Sequence, residues 1–566
     1  MSGIIERLAI RGIEQVEGGD LPLVLAMGQP VTRLRRTLPT RRPSLALDNA
    51  SPRLRDIPVM RPVRGDLVAG LSVALVLVPQ AMAYAEIAGL DPVHGLYAAV
   101  AAALGGALVG SSRYLQSGPT AVTSLLTFGA LAVFADPYTA QFALLAGLLA
   151  VAVGLIRLGV GLVGGGPIAY VMSQPVVVSF TSAAAILIVA SQISTLVGVE
   201  GHGSNPLLTA FSALRDPGAW SMVDLALGAF AIIAMLGGRR ISPVFPGALL
   251  AVVVATAWSA YVDYDGRILG EISYRLAVQT GLPWRDLGSL ILPAFVIALV
   301  GFAEPAAIAR RYAAEDREPW DSNKEFIGQG LANIAAGFAG GYPVGGSFSR
   351  TALNRFAGAR TRWSGACTGL VLLAMLPFTS ALAPLPTAVL AGIVIAAAVT
   401  LVDVVTPVRL WRWSRPQFAV GATTMIATLV LAPRVERAVL LGVGMALAVH
   451  LWREVHVSVP SRTEGDTLHL FPSGVLYFGS APGMEKAVNR LIAQQPTLSR
   501  VAIHLNGLGR VDLTGALMLR DLAEDAGTSG VTVEVLEARP HMARVLTRVL
   551  GETTTVHVMG EDVPDT

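Results

Sequence analysis

Charge is scarce in this chain. Asp, Glu, Lys and Arg make up 14% of its 566 residues, where a soluble globular chain carries about 25%. Lysine is almost missing: Lys324 and Lys486 are its only occurrences, so arginine supplies nearly all the positive charge, a usage expected of a GC-rich bacterial genome. The formal net charge of +3 gives no reason to expect a nucleic-acid partner. A single cysteine, Cys367, excludes an internal disulfide and a cysteine-built zinc site, and reads as a small buried side chain. What is abundant is apolar surface: 53% of the residues are hydrophobic and the mean hydropathy is +0.59. These totals describe a polytopic membrane protein.

Residues 1–62 carry many arginines, among them Arg33, Arg35, Arg36, Arg41 and Arg42, and have neither a long apolar core nor a small-residue cleavage site. They read as a cytoplasmic tail, either disordered or resting on anionic lipid. Apolar stretches then follow at about 66–87, 94–110, 119–134, 141–157, 167–195, 221–237, 242–262, 288–309, 326–341, 346–357, 362–382, 385–402, 417–432 and 435–452. Fourteen spans within a transport domain at 63–455 are expected. Two of them, 119–134 and 346–357, fall short of the ~20 residues a bilayer crossing needs. Arginines cluster where even-numbered spans end: Arg157; Arg239 and Arg240; Arg310, Arg311 and Arg317; Arg409, Arg412 and Arg415. The exit after the seventh span mixes charges, with Asp263, Asp265, Arg267 and Glu271. By the positive-inside rule, both termini are expected in the cytoplasm.

The two short spans occupy matching places, seven spans apart, and each follows a glycine–proline break: Ser117-Gly118-Pro119-Thr120 before one, Pro343-Val344-Gly345-Gly346-Ser347 before the other. A repeat of seven spans inverts its topology, so the two half-helix N-termini can meet near the bilayer midplane, the arrangement expected at a transporter's substrate site. The bland alternative is a pair of ordinary kinks. Arg350, just inside the second half-helix, would cost ~2.5–3.5 kcal/mol at membrane depth, which marks it as functional. A helix N-terminus carries about half a positive charge, and adding a cation to it suggests an anion site.

Beyond Glu454 the composition turns polar. Val501–Leu505 is an apolar run suited to a buried strand, Gly515–Ala526 has helical spacing, and Val531–Val535 alternates like a strand. Residues 456–566 are expected to form a small cytoplasmic α/β domain.

Three stretches carry a family resemblance. They are Val78-Pro79-Gln80-Ala81-Met82-Ala83-Tyr84-Ala85 continuing to His94-Gly95-Leu96-Tyr97, then Ser117-Gly118-Pro119-Thr120-Ala121-Val122, then Gly328–Asn333 through Pro343 to Gly346-Ser347-Phe348-Ser349-Arg350-Thr351-Ala352. Taken in order they resemble the sulfate permease (SulP) family of anion transporters. Asp512-Leu513-Thr514-Gly515 resembles the Asp-x-Ser/Thr-Gly helix cap of the STAS domain that follows the transporter in that family. The resemblance implies fourteen membrane segments in two inverted seven-helix repeats, divided into core and gate domains, and a homodimer. It places the anion between the N-termini of the third and tenth helices.

Carried over by motif, the lining would be Thr120 and Ala121 on one side and Phe348, Ser349 and Arg350 on the other. Gln80 and Tyr84 would supply neutral donors, Tyr84 having packing as its equal alternative. Ser117 and Ser347 would either cap the half-helices or touch the ligand. Arg350 would contact the anion or act through its field. Glu304, in Val300-Gly301-Phe302-Ala303-Glu304-Pro305-Ala306, would be either a counter-ion to Arg350 or a proton carrier, since a carboxylate away from water can load and release a proton. The resemblance implies that sodium-coupled relatives have an aspartate here with a threonine four residues on, whereas this chain has Glu304 and Ile308. Glutamine at position 80 with glutamate at position 304 is similar to plant-type sulfate/proton symporters. Thr514 matches a position phosphorylated in relatives of the STAS fold, with capping as its other role. His450, His456, His504 and His541 show no metal-ligand spacing and read as surface or interface residues.

The leading expectation is a secondary transporter of the bacterial inner membrane importing sulfate with protons. Bicarbonate, chloride or dicarboxylate transport on the same fold is the nearest alternative, and a non-transporting anion receptor signalling through its STAS domain is a second class. No nucleophile–base set, nucleotide loop or metal cluster suggests an enzyme, a cofactor or a bound metal.

Overall fold

The computed structural model describes residues 63–558, apart from 171–172, 204, 242–244, 271–277, 496 and 552–553. The arginine-rich tail, Glu271 and the last eight residues lie outside the described residues. The described chain runs through α1 (Arg64–Ile87), α2 (Pro92–Val109), β1 (Ser117–Gly118), α3 (Ala121–Leu131), α4 (Ala140–Leu162), α5 (Gln174–Val197), α6 (Pro206–Leu214), α7 (Met222–Ile241) and α8 (Gly247–Val262). A second series follows: α9 (Leu287–Asp316), α10 (Ser322–Phe338), β2 (Gly345–Gly346), α11 (Phe348–Phe356), α12 (Trp363–Met375), α13 (Thr387–Val399), α14 (Val405–Trp413), α15 (Arg415–Leu431) and α16 (Val435–Val455).

Each of the fourteen apolar stretches contains a helix. Among the described residues, seven helices are long and apolar enough to cross a membrane by length and composition, while α3, α7, α8 and α13 are apolar but shorter. The short helices α6 and α14 were not foreseen. Both are amphipathic or polar-ended segments in connections that the hydropathy pattern passes over.

Polar residues set the helix ends. Thr139 Oγ1 accepts from the Phe142 amide at 3.2 Å to open α4, and Asp321 Oδ1 accepts from Asn323 and Lys324 at 2.9 and 3.1 Å to open α10. Gly198, at φ 72°, stops α5 in the left-handed conformation that glycine adopts without a Cβ clash. The start of α1 is tied down by buried Asp66. Its carboxylate accepts from the Arg360 and Thr361 amides at 2.8 and 2.9 Å and from Thr361 Oγ1 at 2.7 Å, joining α1 to the turn between α11 and α12.

In lipid, helices gain little from apolar burial, so close backbone approach holds them together. The α4–α10 pair shows this most clearly. A Cβ at Gly154 would meet the Gly330 carbonyl oxygen at 2.7 Å, one at Gly337 would meet the Gly147 oxygen at 2.4 Å, and one at Gly161 would meet the Asn323 oxygen at 2.8 Å. Glycines 147, 154 and 161 recur every seventh residue, two turns apart, along a single face. One group of helices comprises α1, α2, α4, α10 and α12, with α9 packed on α4; a second has α5 against α13 and α15, α13 against α7, and α15 against α16. The two groups meet where α1 lies on α8 and α13, and where α3 lies on α5 and α16.

The C-terminal part has β3 (Ser461–Glu464), β4 (Thr467–Leu470), β5 (Gly474–Leu476), α17 (Ala481–Ala493), β6 (Arg500–His504), β7 (Leu508–Val511), α18 (Leu513–Thr528), β8 (Thr532–Ala538), α19 (Pro540–Leu550) and β9 (Val556–Val558). The five-stranded sheet has the order β3-β4-β6-β8-β9, parallel from β4 onward. The expected strands at 501–505 and 531–535 and the helix at 515–526 are β6, β8 and α18. Leu468, Leu470, Val501, Ile503, Val533 and Val535 share the buried core with Leu519 and Leu522 of α18. Asp512 caps α18, its Oδ1 accepting from the Gly515 amide at 2.8 Å. Thr514 is exposed and takes no part in that cap, so the capping role expected of it falls to Asp512. His504 is a correction of another kind. It is half-buried in the sheet, stacked on Phe471 and bonded to His469 at 3.1 Å and to Glu537 at 3.3 Å. The sequence spacing hid this because the partners lie on three strands.

Replacing Gly154 with leucine should force α4 and α10 apart. A loss of about 1–3 kcal/mol or more is expected for such overpacking, read as a lower thermal unfolding midpoint of the detergent-purified protein. A Gly159→Leu control meets no neighbour within 4 Å and should leave the midpoint near that of wild type.

Candidate functional site

The two glycine-rich breaks come together. β1 and β2 form a two-residue antiparallel ladder, Ser117 opposite Gly346 and Gly118 opposite Gly345. The ladder extends by a bond from the Ser347 amide to the Gln116 carbonyl at 3.3 Å, and the Gln116 amide bonds Thr351 Oγ1 at 3.2 Å. From this junction α3 and α11 lead away, each starting within three residues of its strand. Glycine is required here by space. A Cβ at Gly346 would meet the Leu115 side chain at 2.7 Å, and one at Gly345 would meet the Gly301 carbonyl oxygen at 3.2 Å. That carbonyl lacks its helical partner because Pro305, four residues on, has no N–H.

The two half-helices end differently. Thr120 caps α3, its Oγ1 accepting from the Thr123 amide at 3.3 Å and sharing a bond with Thr123 Oγ1 at 2.9 Å. Ser117, one candidate for that cap, instead accepts from Gln329 Nε2 at 2.7 Å. At α11 the Ser347 side chain makes no cap bond and pairs with Ser349 Oγ at 3.2 Å. The Phe348 amide at that N-terminus donates to Glu304 Oε1 at 3.4 Å. A carboxylate from α9 therefore stands at the positive end of α11.

Arg350 is the centre of the electrostatics. It is 1% exposed, and none of its three guanidinium nitrogens has a hydrogen-bond partner among the described residues. The guanidinium lies beside the β1 backbone, where a Cβ on Gly118 would stand 3.5 Å from Nη2. Tyr84, Tyr342 and Glu304 are close enough to act on its charge, yet no ion pair joins it to Glu304. A buried cation without a partner is unfavourable unless an anion completes it. Gln80 repeats the pattern: it is 4% exposed and its Oε1 is unpartnered.

Gln80, Ser349 and Arg350 line one cavity of about 430 Å³, whose far wall is Met235 of α7 and Phe245–Ala248 at the start of α8. The cavity thus lies between the two groups of helices. The other residues expected in the lining do not border it. Thr120 and Ala121 are buried at 6% and 5% exposure, Tyr84 at 9%, and Phe348 is 40% exposed on the outer side of its turn.

Arg157 corrects an expectation. Its arginine was read as marking a cytoplasmic loop, but the side chain is fully buried. Its Nη1 donates to the Val344 carbonyl at 2.9 Å, Nε to Ala298 at 3.1 Å and Nη2 to Ile297 at 3.2 Å. It therefore fastens α9, which carries Glu304, to the residue before β2. Asn333 of α10 holds the same residue, accepting from the Val344 amide at 2.9 Å and donating to its carbonyl at 3.1 Å. A charged residue inside an otherwise apolar run was the one sequence signal for Arg157. Met235 and Phe245, the opposing wall, carried none.

A helical membrane bundle with two broken helices meeting beside an unpaired arginine, and a separate α/β domain at its C-terminus, defines an anion transporter of the inverted-repeat class. The chain belongs to the sulfate permease family, which matches over residues 63–425, with a STAS domain at 458–550. A probable sulfate transporter of Mycobacterium tuberculosis (strain CDC 1551 / Oshkosh) is 37% identical over 403 residues, 70% of this chain and 71% of that protein. The sodium-independent sulfate anion transporter of Bos taurus is 30% identical over 527 residues, 85% of each chain. Among solved structures, murine Slc26a9 in the inward-facing state shares the fold, with a TM-score of 0.79 at 21% identity over 88% of this chain and 89% of that one. The transmembrane domain of the cyanobacterial bicarbonate transporter BicA aligns with a TM-score of 0.58 at 25% identity, over 68% of this chain and 97% of that one.

Arg157→Met should remove three charge-assisted bonds, each worth about 1.5–3 kcal/mol, and leave the Val344 carbonyl to Asn333 alone. A marked fall in the thermal midpoint of the purified protein is expected, with Arg157→Lys falling less.

Proposed function

We propose that this member of the family is a proton-coupled sulfate importer of the bacterial inner membrane, working as a homodimer with both termini in the cytoplasm. The observation that carries the reading is the unpartnered, buried guanidinium of Arg350 at the N-terminus of α11, opening with Gln80 and Ser349 onto a cavity between the two helix groups. Helix N-termini and guanidinium groups both suit an oxyanion. Relatives whose names give sulfate as the transported anion, in Mycobacterium tuberculosis and Bos taurus, support the substrate.

Glu304 supplies the coupling. Its carboxylate already takes the Phe348 amide, one of the donors a bound anion would use. Ionised, Glu304 competes with the substrate for the end of α11 and repels it. Protonated, it yields the amide and removes a negative charge, so proton and anion load together. The drive is needed because each negative charge entering against 100 mV costs roughly 2.3 kcal/mol. Ile308, one turn further along α9, is apolar and fully buried, which gives sodium no oxygen ligand there. The bovine relative's name, sodium-independent, agrees with that. Bacterial relatives in Mycobacterium tuberculosis and Bacillus subtilis support the inner-membrane location. Exposed Arg240, Arg409 and Arg412 at the expected cytoplasmic ends support the orientation.

The test is uptake of labelled sulfate, bicarbonate and a dicarboxylate into proteoliposomes, each with and without a proton or sodium gradient. Sulfate should be concentrated by an imposed proton gradient and be indifferent to sodium. Arg350→Ala should lower uptake at least about tenfold, the equivalent of losing one charge-assisted contact of ~1.4 kcal/mol. Glu304→Gln should still exchange sulfate but no longer accumulate it under a pH gradient. Undiminished accumulation by that variant would remove Glu304 from the coupling step.

A further inference from the structure

A second cavity, of about 440 Å³, lies at the other end of the contact between the helix groups. Its walls are the last turn of α1 (Glu86), the C-terminal half of α3 (Phe128), the loop before α4 (Tyr138), α5 (Gln192) and the turn at Pro433. Glu86 lies six residues beyond Gln80 on α1, about 9 Å along the axis. The first cavity holds the candidate anion site, and the second lies beyond it toward the C-terminal end of α1.

Among the described residues, Glu86 is the only charged one lining this cavity. Its carboxylate has no hydrogen bond or ion pair among the described residues, and the one bond recorded for the residue goes to its backbone, where Tyr138 donates its hydroxyl to the Glu86 carbonyl at 3.4 Å. Tyr138 is held there by its amide, bonded to the Gly89 carbonyl at 2.8 Å, with φ at 61°. That conformation is uncommon for a tyrosine, and its hydroxyl bonds the Glu86 backbone, not the carboxylate, which acts on it only through its charge. No titratable group of α3, α5, α6 or the Pro433 turn lines the cavity. Tyr138 is the one other titratable group that does, with Asp91, the residue before α2, acting on it. The asparagine on the wall is already engaged: Asn205 donates to the Leu429 and Ala432 carbonyls at 2.9 and 3.3 Å.

An ionised carboxylate without a protein partner, partly buried in a wall it shares with Leu125, Phe128 and Pro137, is favoured when it takes a proton or a cation. The cavity also lies between the helix groups, about two turns along α1 from Gln80, which places Glu86 beside the direction in which an anion would approach Arg350 from that end. We propose that Glu86 is a protonatable charge gate at the mouth of the anion path. Ionised, it repels an arriving divalent anion; protonated, it admits one. The proposal rests on the transport reading above but not on coupling at Glu304, because the gate acts on entry and not on the driving force.

The test measures the KM for sulfate in proteoliposomes holding the full-length protein, with pH set on each side in turn between about 5.5 and 8. For the wild type, KM should rise with pH on the side faced by the C-terminal end of α1. The rise should be about fivefold, the Boltzmann factor for a dianion passing within about 8 Å of a carboxylate in a water-like dielectric. In a Glu304→Gln background, which still exchanges sulfate, Glu86→Gln should lose the remaining dependence with an unchanged maximal rate, and Glu86→Asp should restore it. A wild-type KM insensitive to pH on both sides, or a Glu86→Gln variant with the wild-type profile, overturns the proposal. Sulfate flux with the expected KM shift but no response to a proton gradient would overturn the coupling reading alone. Absence of any anion flux would overturn both.

Discussion

A two-residue antiparallel ladder, Ser117 opposite Gly346 and Gly118 opposite Gly345, holds the centre of this protein. A chain in a membrane cannot leave backbone groups unpaired, so a helix can break at mid-depth only where something else bonds its freed amides and carbonyls. Here each break satisfies the other. The ladder then fixes where α3 and α11 begin, and with them the directions of their N-terminal amides. Arg157 and Asn333 converge on Val344 just before β2, so the junction is bonded to both α9 and α10.

The division of labour around the junction follows from charge. Arg157 and Arg350 are both fully buried arginines, yet they do opposite things. The first spends its donors on three carbonyls and becomes a fastening. The second has none satisfied and faces a cavity. Burial alone does not distinguish a structural cation from a functional one; the hydrogen-bond inventory does. The same inventory separates Thr120, whose hydroxyl is taken by its own helix, from Ser349, which borders the cavity.

Much of this architecture could be read from the chain. Hydropathy located the helices because lipid imposes a nearly continuous apolar run on each. The glycine–proline breaks in matching positions located the junction because few other residues permit a backbone turn in so little space. Arg350 and Glu304 stood out as charges within apolar stretches. What escaped was whatever depends on neighbours distant in sequence. Arg157 sits near the end of an apolar run, where a loop arginine would also sit, and only packing against α9 shows it to be internal. The wall formed by Met235 and Phe245 is ordinary apolar sequence. The His469, His504 and Glu537 cluster is assembled across three strands, so no local spacing announces it. Thr120 and Ala121 lie beside the ladder as expected, but their side chains turn into the packing and not toward the cavity.

The glycine face between α4 and α10 has a mechanical meaning. Where backbone meets backbone at intervals of seven residues, with Ile334, Ile327 and Val151 packed into the same gaps, little room is left for a slide. Those two helices are therefore one rigid beam. The junction is bonded to α10 through Asn333 and Gln329, so it is carried by that beam as a fixture. Any rearrangement that exposes the cavity alternately to the two faces of the bilayer would fall instead on the contacts between the helix groups, those of α1 with α8 and α13 and of α3 with α5 and α16.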